Sequence, residues 1–343
     1  MAHDRPLADR AAQPRRRARV TAADVAKTAG VSRSAVSRAF TPGAYLDEDK
    51  RQRVLKTAMD LGYRPNALAA SLQGAATDLV GVVVGGLSNP YDSEWLAALV
   101  SALNASGKWP IVLGGQAEGL DESVTSILSY PLDALIVRGG SLGEALIDNC
   151  TKLNIPVIFS GRVISHPAID CVACRNHMGM VQAVTLLLES GRRRIGYIGG
   201  PPTLSSEKER LAGVVERLAK AGLTPAAQVT SDYSFDGGKS AMRALLQDAS
   251  PDAVVCANDA MALGALSFAR NTCNLTVPDD LAIIGFDDIA MADWAEFDLT
   301  TVRNPLEETV NEVLRLLEDR LANPQKPGEV VMVEPMLVKR GTH

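Results

Sequence analysis

Thr21-Ala-Ala-Asp24-Val-Ala-Lys27-Thr-Ala29-Gly30-Val31-Ser32-Arg33-Ser34-Ala-Val36-Ser37-Arg38 reads as two short helices joined by a turn at Gly30. Thr21, with Asp24 three residues later, has the form of a capping box, and Val25, Ala26 and Ala29 repeat on one face of the first helix. Ser32 is placed to cap a second helix whose inward positions are Ala35, Val36 and Phe40. A third helix is expected to open on Asp47-Glu48-Asp49, acids suited to the positive end of a helix dipole. It runs through Val54, Leu55, Ala58 and Leu61 to a stop at Gly62. Such a headpiece is what a chain needs to lay its second helix in a DNA major groove. Arg33 and Ser34 are the first positions past the cap, and Arg38 lies about one turn further on. At the start of a recognition helix an Arg can grip guanine with two hydrogen bonds, worth about 1 to 3 kcal/mol of discrimination.

Charge agrees with this placement. The net charge of -5 over 343 residues divides unevenly. Residues 1 to 74 carry 14 Lys and Arg against 7 Asp and Glu, whereas the remainder carries 21 against 33. A basic head on an acidic body puts the polyanion-binding surface at the N-terminus. Residues 1 to 18, with Arg15-Arg16-Arg17, show no apolar periodicity and read as a disordered basic arm, either a solvated tail or a source of extra phosphate contacts. Residues 19 to 65 form the helix-turn-helix headpiece. From Asn66 to about residue 75 comes a helix-like run too short to be stable alone, either a helix that forms only with support or a plain linker.

From residue 76 to 343 apolar strands alternate with amphipathic helices. Strand-like runs are Leu79 to Val84, Pro110 to Leu113, Ala134 to Val137, Val157 to Phe159, Ile195 to Ile198, Ala253 to Cys256, Ala282 to Phe286, Val330 to Val333 and Met336 to Val338. Short buried runs between helices imply parallel sheets with helices on both faces. The length exceeds one such unit, so two α/β lobes with a ligand cleft between them are expected, with the chain crossing between lobes near 176, 280 and 302.

Other classes of function find little support. There is no Ser-His-acid grouping, phosphate loop, dinucleotide fingerprint or metal-spaced ligand set, so neither an enzyme nor a cofactor or metal is expected. Four scattered histidines and an odd set of five cysteines suggest no zinc site or disulfide framework. Cys171 and Cys174 fall in a strand-like stretch and read as buried reduced thiols. No apolar stretch approaches 18 residues and no signal peptide is evident, which opposes an exported solute-binding protein and points to the cytoplasm without membrane association.

The motifs taken together resemble the LacI (lac repressor) family of transcriptional regulators. The family pattern D-V-A-x-x-A-G-V-S-x-x-x-V-S-R matches Asp24 to Arg38, and G-Y-x-P-N-x-x-A-x-x-L matches Gly62 to Leu72. The likeness continues through Ser88-Asn89-Pro90-Tyr91, Arg210-Leu-Ala-Gly213, Asn258-Asp259, Gly285-Phe286-Asp287-Asp288 and Leu299-Thr300-Thr301-Val302. The resemblance implies a homodimer on a pseudo-palindromic double-stranded operator, mostly as a repressor, with no C-terminal leucine heptads to build a tetramer. Thr21, Ser32, Arg33, Ser34, Ser37 and Arg38 would contact DNA in the headpiece. Asn66, Ala69 and Leu72 would do so from a hinge helix in the minor groove, with Leu72 as the wedge that kinks base steps.

The lobes would resemble a periplasmic sugar-binding protein that closes on a small effector. The resemblance places Arg210, Tyr233, Asn258 and Asp287 on the effector from one lobe and Tyr91 and Asp92 from the other, with Arg138, Arg162 and Arg175 adding positive charge. Many relatives carry Asp-Asn where this chain has Arg175-Asn176, and Arg138 follows a strand at its cleft-facing end. That charge favours an acidic or phosphorylated effector over a neutral sugar.

Overall fold

A computed structural model describes residues 20–41, 43–64, 76–115, 125–139 and 144–343, without the side chains of 144–146. The basic arm and the hinge positions Asn66, Ala69 and Leu72 lie outside the described residues. Two compact units divide near residue 77.

In the headpiece, α1 (Ala22–Ala29), α2 (Arg33–Phe40) and α3 (Glu48–Leu61) form where their caps allow. Thr21 and Asp24 close a capping box at the start of α1, and Gly30, at φ 67°, ends it in the left-handed conformation. Ser32 Oγ accepts from the Ala35 amide, 3.2 Å away, and Asp47 caps α3 through the Lys50 amide at 3.1 Å. Val25, Ala26, Ala29, Val36, Ala39, Val54 and Ala58 form the core. One expectation is corrected here: Ala39 takes the inward place in α2, while Ala35 and Phe40 are half-buried. With 100° between successive residues, Val36 and Ala39 point at α1 and α3, and Phe40 turns to the rim, where it meets Tyr63 edge-on at 5.9 Å. Arg51 of α3 donates to the carbonyls of Ala39 and Ala44, at 2.9 and 2.6 Å, and so fixes the end of α2.

The second unit holds two six-stranded sheets. The first contains β1 (Leu79–Val84), β2 (Trp109–Gly114), β3 (Ala134–Arg138), β4 (Val157–Ser160), β5 (Asp170–Cys174) and β11 (Val330–Val333), in the order β11-β5-β4-β3-β1-β2. The second contains β6 (Ile195–Gly199), β7 (Gln228–Thr230), β8 (Ala253–Cys256), β9 (Ala282–Asp287), β10 (Thr301–Arg303) and β12 (Met336–Val338), in the order β12-β10-β9-β8-β6-β7. Pairing is parallel throughout, as in Val82 opposite Ile136 and Tyr197 opposite Val255, except that β12 runs antiparallel to β10. The central strands are buried along their whole length, which is why they read as unbroken apolar runs.

The helices that build the cleft follow strands. In the first lobe α4 (Pro90–Ala105) follows β1 and α5 (Glu144–Lys152) follows β3; in the second, α6 (Asn176–Glu189) precedes β6, α7 (Ser205–Ala219) follows it, and α8 (Phe235–Asp248) and α9 (Asp259–Asn271) follow β7 and β8. The helix α10 (Leu306–Ala322) returns to the first lobe, packing on β4 and β5. The chain passes between sheets after β5, after β10 and between β11 and β12. The crossing expected near 280 is not one. Val277-Pro278-Asp279-Asp280 is a turn joining α9 to β9 within the second lobe, and a Pro-Asp turn has the same composition wherever it lies. The third passage is at Glu334-Pro335, where proline has no N–H to continue a ladder. The strands β7 and β10 did not show as apolar runs because each has a single valine between polar residues, Gln228-Val229-Thr230 and Thr301-Val302-Arg303. Cys171 and Cys174 are buried free thiols in β5. Among the described residues, no helix is long and apolar enough to cross a membrane.

Candidate functional site

The carboxyl ends of the strands in both lobes face a cavity of about 520 Å³. Ligands of open α/β sheets bind at such ends, and the volume suits a small molecule. Of the residues expected there, Tyr91, Asp92, Arg138, Arg162, Arg210, Tyr233 and Asp287 line the wall.

Arg210 and Asp287 anchor the second lobe. Arg210, from α7, donates Nε to Asn176 Oδ1 at 2.9 Å, Nη1 to the Ala257 carbonyl, and Nη2 to Asp287 Oδ1 at 3.3 Å. Its guanidinium also lies 3.9 Å from the centre of the Phe286 ring. Burial opposes the charge on Arg210, but Asp287 together with Tyr233, Cys174 and Tyr197 around it outweighs burial, and the pKa is raised. Burial pushes the Asp287 carboxyl up to about 6, a rise that Arg210 and the Asn304 amide restrain. Asp287 holds φ 114°, an unusual value for a residue with a side chain, at the very end of β9.

Tyr233 is posed just as firmly. Its φ is 66° and its hydroxyl donates to Glu207 Oε2 at 3.1 Å. Glu207 is itself buried and also accepts from Tyr197 Oη and the Gly200 amide, both at 2.8 Å. Burial raises the Glu207 pKa. Gly200 has no side chain for a concrete reason: a Cβ there would lie 2.1 Å from Tyr233 Cζ.

The first lobe presents another set. Arg138, at the end of β3, donates Nε to Asp92 Oδ1 at 3.0 Å and Nη1 to Ser160 Oγ at 3.2 Å. It lies 5.1 Å from the ring centres of both Tyr91 and Trp95. Tyr91 is buried in the first turn of α4 with its hydroxyl lacking a partner, and burial raises its pKa. Arg162 follows β4, its guanidinium 4.7 Å from the centre of the Phe159 ring.

Two expected contacts lie elsewhere. Arg175 does not line the cavity: its Nε donates to Glu334 Oε1 at 2.6 Å, so it braces two of the passages between lobes. Position 175 precedes the first turn of α6, and the adjacent Asn176, not Arg175, turns inward to meet Arg210. Asn258 is wholly buried behind the wall. Its Oδ1 caps α9 through the Met261 amide at 3.0 Å, and its Nδ2 donates to the Tyr233 carbonyl at 3.1 Å.

Asn176, Glu207, Ser160 and Asn304 escaped the sequence reading. They are buried polar residues that support the charged ones, and only their place beside recognised motifs could have marked them. Among the described residues, no group of three His, Cys, Asp or Glu side chains could hold a metal ion.

On the headpiece, Ser32, Arg33, Ser34, Ser37 and Arg38 are all exposed along one side of α2, opposite Val36 and Ala39. Ser32 and Ser34 hydroxyls lie 2.9 Å apart. Thr21 is exposed but its hydroxyl already donates to Asp24 Oδ2 at 2.7 Å.

A helix-turn-helix unit and a two-lobed core around a polar, charged cleft define a ligand-responsive DNA-binding regulator. A family model for bacterial regulatory proteins of the lacI family matches residues 21–66, and one for a periplasmic binding protein-like domain matches 184–343. The HTH-type transcriptional regulator CelR of Thermobifida fusca is 32% identical over 94% of this chain and 98% of its own. A CelR–cellobiose complex superposes with TM-score 0.71 at 30% identity, covering 95% of this chain and all of the other. The lac repressor dimer bound to operator and the anti-inducer ONPF gives TM-score 0.83 at 27% identity, covering 95% and 99%. The chain belongs to the LacI family. It is a DNA-binding transcriptional regulator.

Proposed function

We propose that this chain represses transcription as a homodimer on a pseudo-palindromic operator, and that a small hydroxylated effector in the interlobe cleft controls its affinity for DNA. The observation that carries the reading is the cluster of Arg210, Asp287 and Tyr233, held rigid at the wall of a cavity, in a chain whose other unit exposes Arg33, Ser34 and Arg38 along one helix. A guanidinium and a carboxylate can each take two hydroxyls, and an aromatic face covers ring carbons. The neighbour crystallised with cellobiose supports a sugar-like effector. Tyr91, Asp92, Arg138 and Arg162 face it from the first lobe. Asn258 acts by positioning Tyr233.

The headpiece would read bases through Arg33 and Ser34 and phosphates through Thr21, Ser32, Ser37 and Arg38. Asn66, Ala69 and Leu72 would enter the minor groove, with Leu72 as the kinking wedge. We place the protein in the cytoplasm, with DNA, effector and its own second copy as partners, and with no catalytic step. Coupling is reciprocal: an effector that weakens DNA binding is itself weakened by DNA by the same factor.

Selection of bound sequences from a random DNA pool, at fixed salt, tests this reading. A pseudo-palindrome is the expected product; a pool that stays random after repeated rounds sinks it.

A further inference from the structure

Glu207 is buried in the second lobe and takes part in no salt bridge among the described residues. Neutral donors satisfy it instead: Tyr197 Oη donates to Oε1 at 2.8 Å, while the Gly200 amide and Tyr233 Oη donate to Oε2 at 2.8 and 3.1 Å. Burying a carboxylate is costly, and a fold that needed only packing there would be served better by an apolar side chain. Glu207 does not line the cavity, so what it offers the site passes through Tyr233, which does.

Tyr233 needs such a hold. It lies between β7 and α8 at φ 66°, a conformation strained for a residue with a side chain. Its carbonyl accepts one hydrogen of Asn258 Nδ2 at 3.1 Å, which leaves the other hydrogen for Asn89 Oδ1, 3.4 Å away in the first lobe. Asn89 donates in turn to Asp92, and Asp92 accepts from Arg138. A chain of hydrogen bonds thus runs from a buried carboxylate in one lobe to a buried guanidinium in the other. Tyr233 is the link where that chain meets the cavity from the second lobe. Glu207 and Arg210 lie three residues apart on α7 and share a face, so one helix orients Tyr233 through the first and Asp287 through the second.

We propose that Glu207 is a positioning residue that ties effector binding to lobe closure. By fixing Tyr233 it presents the aromatic face to the effector and keeps the Tyr233 carbonyl where Asn258 can bridge to Asn89. The inference rests on the cleft being the effector site, and it adds how that site is coupled to closure. Arg210 and Asp287 are held by other partners, so loosening Glu207 releases the aromatic face and the closing contact while leaving that pair in place.

The experiment uses the full-length protein, with small-angle scattering in the absence of ligand and calorimetric titration with ribose, glucose and cellobiose. Scattering decides the proposal by itself. Glu207→Leu is expected to enlarge the radius of gyration, and to weaken the tightest of the three sugars by about tenfold or more. Glu207→Gln, whose carbonyl can still accept from Gly200 and Tyr233, should leave the radius unchanged and cost less than about threefold. Tyr233→Phe removes the other end of the same hydrogen bond, so it should also open the core, and in its background Glu207→Leu should cost less than about threefold further. In Asn89→Ala, where the cross-lobe acceptor is already gone, Glu207→Leu should enlarge the radius no further. Melting checks that each variant is folded, and Tyr233→Phe, the milder change, carries the test if Glu207→Leu does not fold. A closed Tyr233→Phe, further opening of Asn89→Ala by Glu207→Leu, or a folded Glu207→Leu with the radius of the unaltered protein overturns the proposal. Losses of affinity that simply multiply in the Glu207→Leu, Tyr233→Phe double variant do the same, since a merely structural Glu207 would give that result. Undiminished sugar affinity in Asp287→Asn would instead remove the cleft as the effector site, the reading on which the proposal rests.

Discussion

Asn258 and Asn89 belong to opposite lobes and meet across the cleft, with Asn258 Nδ2 3.4 Å from Asn89 Oδ1. A second link, from the Ala290 amide to Glu94 Oε1 at 3.2 Å, joins the same two lobes. Each is a modest interaction, but both act only when the lobes are close. Asn89 also donates to Asp92, the partner of Arg138, so closure and the first-lobe charges are tied together.

Asn89→Ala removes the cross-lobe acceptor and is expected to shift the core toward an open form. A neutral hydrogen bond contributes about 0.5 to 1.5 kcal/mol, so effector affinity should fall by roughly two- to tenfold. Small-angle scattering should show a larger radius of gyration without effector. An unchanged radius together with unchanged affinity would mean that these contacts do not govern closure.

Asp287 gives a pH dependence of definite sign. Its carboxyl titrates near about 6 in the folded protein, above the ordinary 3.8, because it is buried. Between those values the folded chain keeps a proton that the unfolded chain has lost. The resulting stabilisation is complete below the unfolded value and is lost as pH rises through about 6. Effector binding should run the other way, since hydroxyls donate best to the ionised carboxylate. Affinity is expected to rise from pH 5 to about 6.5 and then level off, and in Asp287→Asn this rise should disappear. Titrations at several pH values check both; a rise that persists in the variant assigns the titration to another group.

Much of the architecture was legible because parallel strands buried on both faces, such as Ala134–Arg138 and Ala253–Cys256, leave continuous apolar runs bounded by turns. The caps at Thr21 and Ser32 were legible for a local reason: each bonds to a backbone amide three residues away, as Asp47 also does where the sequence showed only acids at a helix start. The passage at Glu334-Pro335 was not, because nothing local distinguishes a loop within a lobe from one between lobes. The cleft was half legible. Arg210 and Asp287 fall in recognisable motifs, but whether an Arg beside a strand end turns inward depends on partners far along the chain. Arg175 turns out to Glu334, 159 residues away, while Arg138 turns in to Asp92. Glu207 had no motif at all, and its role appears only with Tyr197, Gly200 and Tyr233 around it.

Gly200→Ala tests that arrangement. The new methyl would overlap the Tyr233 ring, and overpacking of this kind costs about 1 to 3 kcal/mol. Effector affinity should drop at least tenfold as Tyr233 leaves its place. Combining the change with Tyr233→Ala should restore much of the stability without restoring the affinity, because the clash and the missing aromatic face are separate effects. Thermal melts and titrations of the single and double variants check this. A double variant no more stable than Gly200→Ala would show that the ring is not what the methyl meets.

Arg33 and Arg38 both project from the exposed side of α2, but their places along it differ. Arg33 is the first helical residue, where a side chain reaches base edges; Arg38 is in the last turn, nearer the flanking backbone. Arg33→Ala is therefore expected to relax selection at one base pair in each half-site, at a cost of about 1 to 3 kcal/mol for the preferred base. Arg38→Ala should weaken binding to all sequences by a similar factor and reduce the dependence of affinity on salt. Comparing the DNA selected by each variant, and measuring affinity at two salt concentrations, separates base reading from phosphate contact. Identical selected sequences for Arg33→Ala and the unaltered protein would move base recognition to Ser34 and the residues beyond it.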